Sequence, residues 1–108
     1  MIYTARIGAK DIIGRVVDIT VKNSKGHCFA PTWELVMSFK KGRISWAIYE
    51  ERYRELIFQR TKTRWEEFLL LIEQIKVEDI TFVCFCVNEA YCHRRVAKEI
   101  LLELSQTE

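Results

Sequence analysis

Apolar residues change their spacing along this chain in a way that marks out its elements. Residues 2–7 carry Ile2, Tyr3 and Ile7, and residues 15–21 carry Val16, Val17, Ile19 and Val21, patterns that predict two short strands. Gly8 and Gly14 punctuate the connection between them, and a polar turn over residues 22–26 follows the second. Trp33, Val36 and Met37 then predict a short helix with Pro31 in its first turn, where a missing N–H costs nothing. Lys40, Lys41 and Gly42 supply the cations and glycine that close such a helix.

Ser45 is the predicted N-cap of a longer helix on which Trp46, Tyr49, Tyr53, Leu56 and Ile57 recur at helical spacing. Glu50 and Arg54 stand four apart on its outer face. Thr63 and Glu66 make a capping-box pattern for a third helix with Trp65, Phe68, Leu69 and Ile72 on one stripe. Residues 80–86 are almost continuously apolar, as an interior strand covered on both faces requires. A last helix carries Val96, Ala97, Ile100, Leu101 and Leu104, and residues 105–108 are expected to fray. The order predicts an α/β protein with a small, mainly parallel sheet flanked by helices, in one domain over residues 1–108.

Composition agrees with that reading. Hydrophobic residues make up 49% and charged residues 30%, which suits a folded globular chain and excludes disorder. A net charge of +2 does not by itself imply nucleic-acid binding. No apolar run reaches the length of a membrane span and the first residues lack a signal-peptide pattern, so a cytoplasmic location is expected. Of four cysteines, three crowd between positions 84 and 92, a distribution that favours reduced thiols over a disulfide framework.

Candidate chemistry concentrates where the last strand hands over to the last helix. Cys92, His93, Arg94 and Arg95 open that helix, whose unpaired N–H groups already make its start electropositive. Cations gathered there call for a phosphate, a carboxylate or a thiolate. In a parallel sheet, ligands also collect beyond the carboxyl ends of the strands. Cys86, Cys92 and His93 are therefore the catalytic candidates, with Arg94 as an anion holder and Arg6 and Lys22 as outer contributors. In an enzyme, a Cys86 or Cys92 thiolate would attack, Arg94 would stabilise negative charge and His93 would move a proton. The plan resembles thiol phosphatases and rhodaneses only loosely. Their arginine follows the nucleophile by six positions, whereas the residue six after Cys86 is Cys92.

The ordered series 29–33 (Phe-Ala-Pro-Thr-Trp), 41–45 (Lys-Gly-Arg-Ile-Ser), Tyr49 to Tyr53, Cys84-Phe85-Cys86 and Cys92-His93-Arg94 with Ala97 resembles the DUF488 family. The resemblance runs from about Tyr3 to Leu104. It implies a Rossmann-like, three-layer α/β fold and a pocket near Cys-His-Arg, and it carries no established activity. Relatives often place glycine in the loop before that motif, but residues 87–91 here contain none. Side-chain arginines, rather than a tight backbone cradle, are then expected to hold an anion.

Other readings stay open. Cys84, Cys86, Cys92 and His93 are zinc-type ligands, but their spacing is unlike paired knuckles and the adjacent arginines oppose a cation, so no metal or other cofactor is expected. Arg60, Lys62 and Arg64, and Lys40, Lys41 and Arg43, form two basic clusters near Trp33, Trp46 and Trp65, an arrangement that suits nucleic acid. The tryptophans fall on predicted apolar stripes, where core packing is the expected duty. Cys28 and Cys84 are expected to be structural thiols, and His27 an ordinary surface residue. The partner classes are thus an anionic small molecule or nucleic acid. The competing class is an interaction module in which Cys-His-Arg merely locks a loop.

Overall fold

The computed structural model describes residues 1–21, 26–85 and 91–107. The elements follow in the order β1 (Ile2–Arg6), β2 (Arg15–Asp18), α1 (Trp33–Lys40), α2 (Trp46–Thr63), α3 (Trp65–Ile75), β3 (Ile80–Cys84) and α4 (His93–Thr107). The three strands form one parallel sheet in the order β1-β3-β2, with Arg6 opposite Cys84 and Val17 opposite Phe82. This is an α/β arrangement compatible with a Rossmann-like three-layer plan. Among the described residues, no helix is long and apolar enough to cross a membrane.

β3 is central because it is apolar on both faces. All five of its residues are buried. Ile80 and Phe82 point into the main core beside Ile2, Val17, Phe29 and Phe68. On the opposite face the Thr81 hydroxyl donates to the Ile13 carbonyl, so the connection between β1 and β2 lies against that side. Gly14 in that connection is a steric necessity. A Cβ there would stand 2.2 Å from the Asp79 carbonyl oxygen, and φ is +69°.

Most of the predicted stripe positions are buried: Tyr49, Tyr53 and Ile57 on α2, Phe68 and Ile72 on α3, and Val96, Ala97, Ile100 and Leu101 on α4, while on α3 Leu71 is buried in place of Trp65 and Leu69. α1 starts later than expected. Thr32 is its N-cap, accepting from Leu35 N at 3.2 Å, and Pro31 precedes the helix. Its far end is a Schellman motif, with Gly42 N donating to Phe39 O and Arg43 N to Ser38 O. Ser45 caps α2 as predicted, accepting from Ile48 N.

The Thr63–Glu66 capping box does not form. α2 runs through Thr63, and the break falls at Arg64, which caps α3 without a side-chain bond. Arg64 instead reaches Glu67 and the Gly26 carbonyl, holding the two helices and the preceding loop together. β2 and β3 are also shorter than their apolar runs. Ile19 still donates to Val83 O, but beyond it the chain turns away as Asp18 Oδ1 accepts from Thr20 N.

Candidate functional site

That turn and the end of β3 open a cavity of about 280 Å³ beyond the carboxyl edge of the sheet. Cys84 and His93 line it together with Thr20 and Val21. Six aromatic side chains complete the wall: Trp33, Phe39, Trp46, Tyr49, Phe85 and Tyr91, with Lys40 also among the lining residues. Trp46 stacks on Tyr49 at 4.9 Å and meets Tyr91 edge-on at 5.9 Å. Trp33, Phe85 and Tyr91 are 55%, 57% and 54% exposed. Large rings left this open around one depression are unusual for a surface whose only task is to be wetted.

Beneath the cavity, the end of β3, the start of α4 and the Ile19 carbonyl converge. Cys84 Sγ lies 2.6 Å from Cys92 Sγ, and Arg94 donates from Nη1 to Cys84 Sγ at 3.5 Å. His93 Nδ1 stands 4.0 Å from Cys92 Sγ. The other ring nitrogen, Nε2, lies 2.8 Å from the Ile19 carbonyl oxygen. A carbonyl only accepts, so Nε2 carries the hydrogen and Nδ1 is the basic nitrogen turned toward the thiols. Burial pushes the His93 pKa below its usual value, keeping the ring neutral near pH 7. Cys84, Cys92, His93 and Arg94 are all buried.

Cys92 stands immediately before α4, its carbonyl accepting from Arg95 N. The two arginines that follow separate. Arg94 turns inward onto Cys84, whereas Arg95 is engaged by Glu50 and Glu99. Arg6 is exposed on the strand beside Cys84 and does not line the cavity. Cys86 and Lys22 lie outside the described residues.

Cys84 was expected to be an inert core thiol, yet it joins the cavity to the Cys-His-Arg motif. Its position at the carboxyl end of the central strand is the signal that marks it. Trp33 and Trp65, expected in the core, are exposed: α1 buries Leu35, and the buried face of α3 runs through Phe68, Leu71 and Ile72. The basic cluster between α2 and α3 serves the fold. Arg60 donates to the carbonyls of His27, Cys28 and Ala30, and Lys62 lies over the Phe58 ring. His27 is no ordinary surface residue, since its Nδ1 accepts from Phe29 N at 3.1 Å.

Among the described residues, Cys84, Cys92 and His93 form the one group of three metal-type ligands, their ligand atoms within 4.8 Å of one another. The donor set is of the type that suits zinc, but the Arg94 guanidinium on Cys84 opposes a cation.

The family model DUF488-N3a, described as the active DUF488-N3 subclade, matches residues 3–105. No curated protein and no solved structure matches the chain.

Proposed function

Given that the chain belongs to the DUF488 family, we propose that it binds a small nucleotide-like ligand in the aromatic cavity above Cys84 and His93. In this reading a planar ring lies between the aromatic walls and its phosphate meets Lys40. The observation that carries the reading is the wall itself, six rings around one cavity with a lysine among them. Every nucleobase has a π-face, and stacking on aromatic side chains contributes about 1–3 kcal/mol per base. A cavity near the lower end of the range of about 300–1,000 Å³ typical of ligand pockets favours a mononucleotide over a dinucleotide.

In the same reading Cys84 faces the ligand, and Arg94 supports negative charge on that sulfur from behind. This differs from an arginine that grips the phosphate directly. The bond from His93 to the Ile19 carbonyl supports a locking role for the motif as well, and the two roles are compatible. The matching subclade's description as active accords with chemistry at the thiols but names no reaction.

Tryptophan fluorescence of the full chain, titrated with a nucleoside monophosphate, the nucleoside and inorganic phosphate, tests the proposal. The monophosphate is expected to bind tightest. Trp33→Ala should weaken nucleotide and nucleoside alike by about tenfold or more, while Lys40→Ala should weaken only the monophosphate. Equal binding of inorganic phosphate and nucleotide, or no response to either, would remove the reading.

A further inference from the structure

We propose that Cys84 and Cys92 form a reversible disulfide when a hydroperoxide reaches Cys84 through the cavity, with Cys84 as the attacking thiolate and Cys92 as the resolving thiol. The inference goes beyond the ligand reading and does not depend on what the cavity binds.

Three observations converge on this pair. The two sulfurs are in direct contact, the arrangement that a disulfide between them requires. The Arg94 guanidinium contacts Cys84 Sγ, and a cation beside a thiol favours the thiolate that attacks peroxides. Cys84 lines the cavity and Cys92 does not, which assigns the first step to one sulfur and the second to the other. Cys28 has none of these features. It is buried on the loop that Arg60 binds and does not line the cavity.

The chemistry balances without a metal. The Cys84 thiolate attacks one peroxide oxygen. An S–O bond forms as the O–O bond breaks, and the leaving oxygen takes from solvent the proton that Cys84 released on becoming a thiolate, departing as water or an alcohol. Cys84 is then a sulfenic acid, oxidised by two electrons as the peroxide is reduced. Cys92 gives its proton to His93 Nδ1 and attacks the Cys84 sulfur. The S–S bond forms, the S–O bond breaks, and hydroxide leaves with that proton as water. His93 suits this transfer because its Nε2 hydrogen is committed to the Ile19 carbonyl and Nδ1 faces Cys92. A dithiol reductant restores both thiols by exchange.

The test uses the full chain, reduced, exposed to hydrogen peroxide, alkylated and cut after Glu89, which separates Cys92 from Cys84 and Cys86. The four thiols are expected to fall to two, with fragment sequencing showing a Cys84–Cys92 link that a dithiol releases. Cys86→Ser should keep the link. Cys92→Ser should instead accumulate a dimedone adduct on Cys84. Overturning results are a link through Cys86 or Cys28, retention of all four thiols by folded protein, or purified protein that carries stoichiometric zinc on these sulfurs. If Cys92→Ser does not fold, the mapping on the unaltered chain still decides.

Discussion

The molecule contains two groupings of cysteine, histidine and arginine, and they are put to opposite uses. In one, His27 and Cys28 sit on a loop under Arg60, while in the other Cys84 and Cys92 lie beside His93 and Arg94. Both histidines have pKa values lowered by burial, and both cysteines named first are buried. The difference lies in what the guanidinium meets. Arg60 binds the carbonyls of His27, Cys28 and Ala30, and Tyr53 binds that of Phe29 at 2.6 Å, so all four carbonyls from His27 to Ala30 are satisfied internally. Arg94 meets the sulfur of Cys84, a residue that lines a cavity. Residue types do not make a site; the partners of the cation and the opening beside the thiol do.

The sharpest way to break this contrast is thiol reactivity. Burial pushes the Cys28 thiol up to about 12, so almost none of it is thiolate near neutral pH. Iodoacetamide at about pH 8 should label Cys28 in the folded chain on the order of a thousandfold more slowly than an ordinary thiol. Cys84 should be labelled first. Equal rates at the two positions, read by mass spectrometry, would erase the distinction. The same shift gives a stability signature. A thiol with a raised folded pKa favours folding fully below its unfolded value of about 9, and that contribution is lost as pH climbs toward about 12. Over that window the unaltered chain should lose about 1.4 kcal/mol per pH unit more than Cys28→Ala does.

Next in size is the arginine over the Cys28 loop. Arg60→Ala leaves several carbonyls without their charged donor, and an unsatisfied buried acceptor costs about 1–3 kcal/mol. Water reaches part of this half-buried group, so a total loss near 3 kcal/mol is expected in urea unfolding. Ligand binding in the cavity should be unchanged once the protein is folded. A neutral result would show that this arginine is a surface charge after all. Arg60→Lys should fall between, because an ammonium lacks the planar fork that serves several carbonyls at once.

Much of this was legible in the residue pattern, for identifiable reasons. β3 announces itself by being almost continuously apolar, and Ser45 and Gly42 mark ends of helices with their own hydrogen bonds. The Cys-His-Arg motif is local, so its position at the start of α4 follows from periodicity. What the pattern hid is long-range. Nothing near Cys84 in sequence says that Trp33, Trp46 and Tyr49, far upstream on α1 and α2, will wall a cavity over it. Nor does a run such as Arg60, Lys62 and Arg64 reveal that its arginines turn back onto loop carbonyls. Trp33 and Trp65 misled, though Trp46 does pack against the core, because a helical stripe records spacing, not which side of the stripe the sheet will cover.

The smallest expected effect separates two neighbours on one helix. Arg95 is paired with Glu50 and Glu99, but both carboxylates also contact Arg54, so removing one cation leaves each with a partner. The groups are partly exposed, and such pairs contribute about 0–1 kcal/mol. Arg95→Ala should therefore cost less than about 1 kcal/mol near pH 7. Its trace should appear in acid. Burial pushes the Glu50 carboxyl up, but hydrogen bonds from Arg95 and Arg54 outweigh it and hold the pKa below the usual range. That stabilisation is present above the unfolded carboxyl value and is lost as pH falls through the folded one, so Arg95→Ala should flatten the acid limb of the stability curve. Arg94→Ala should leave that limb alone and instead slow alkylation of Cys84. If the two variants behave alike, the inward turn of Arg94 confers nothing on the sulfur it touches.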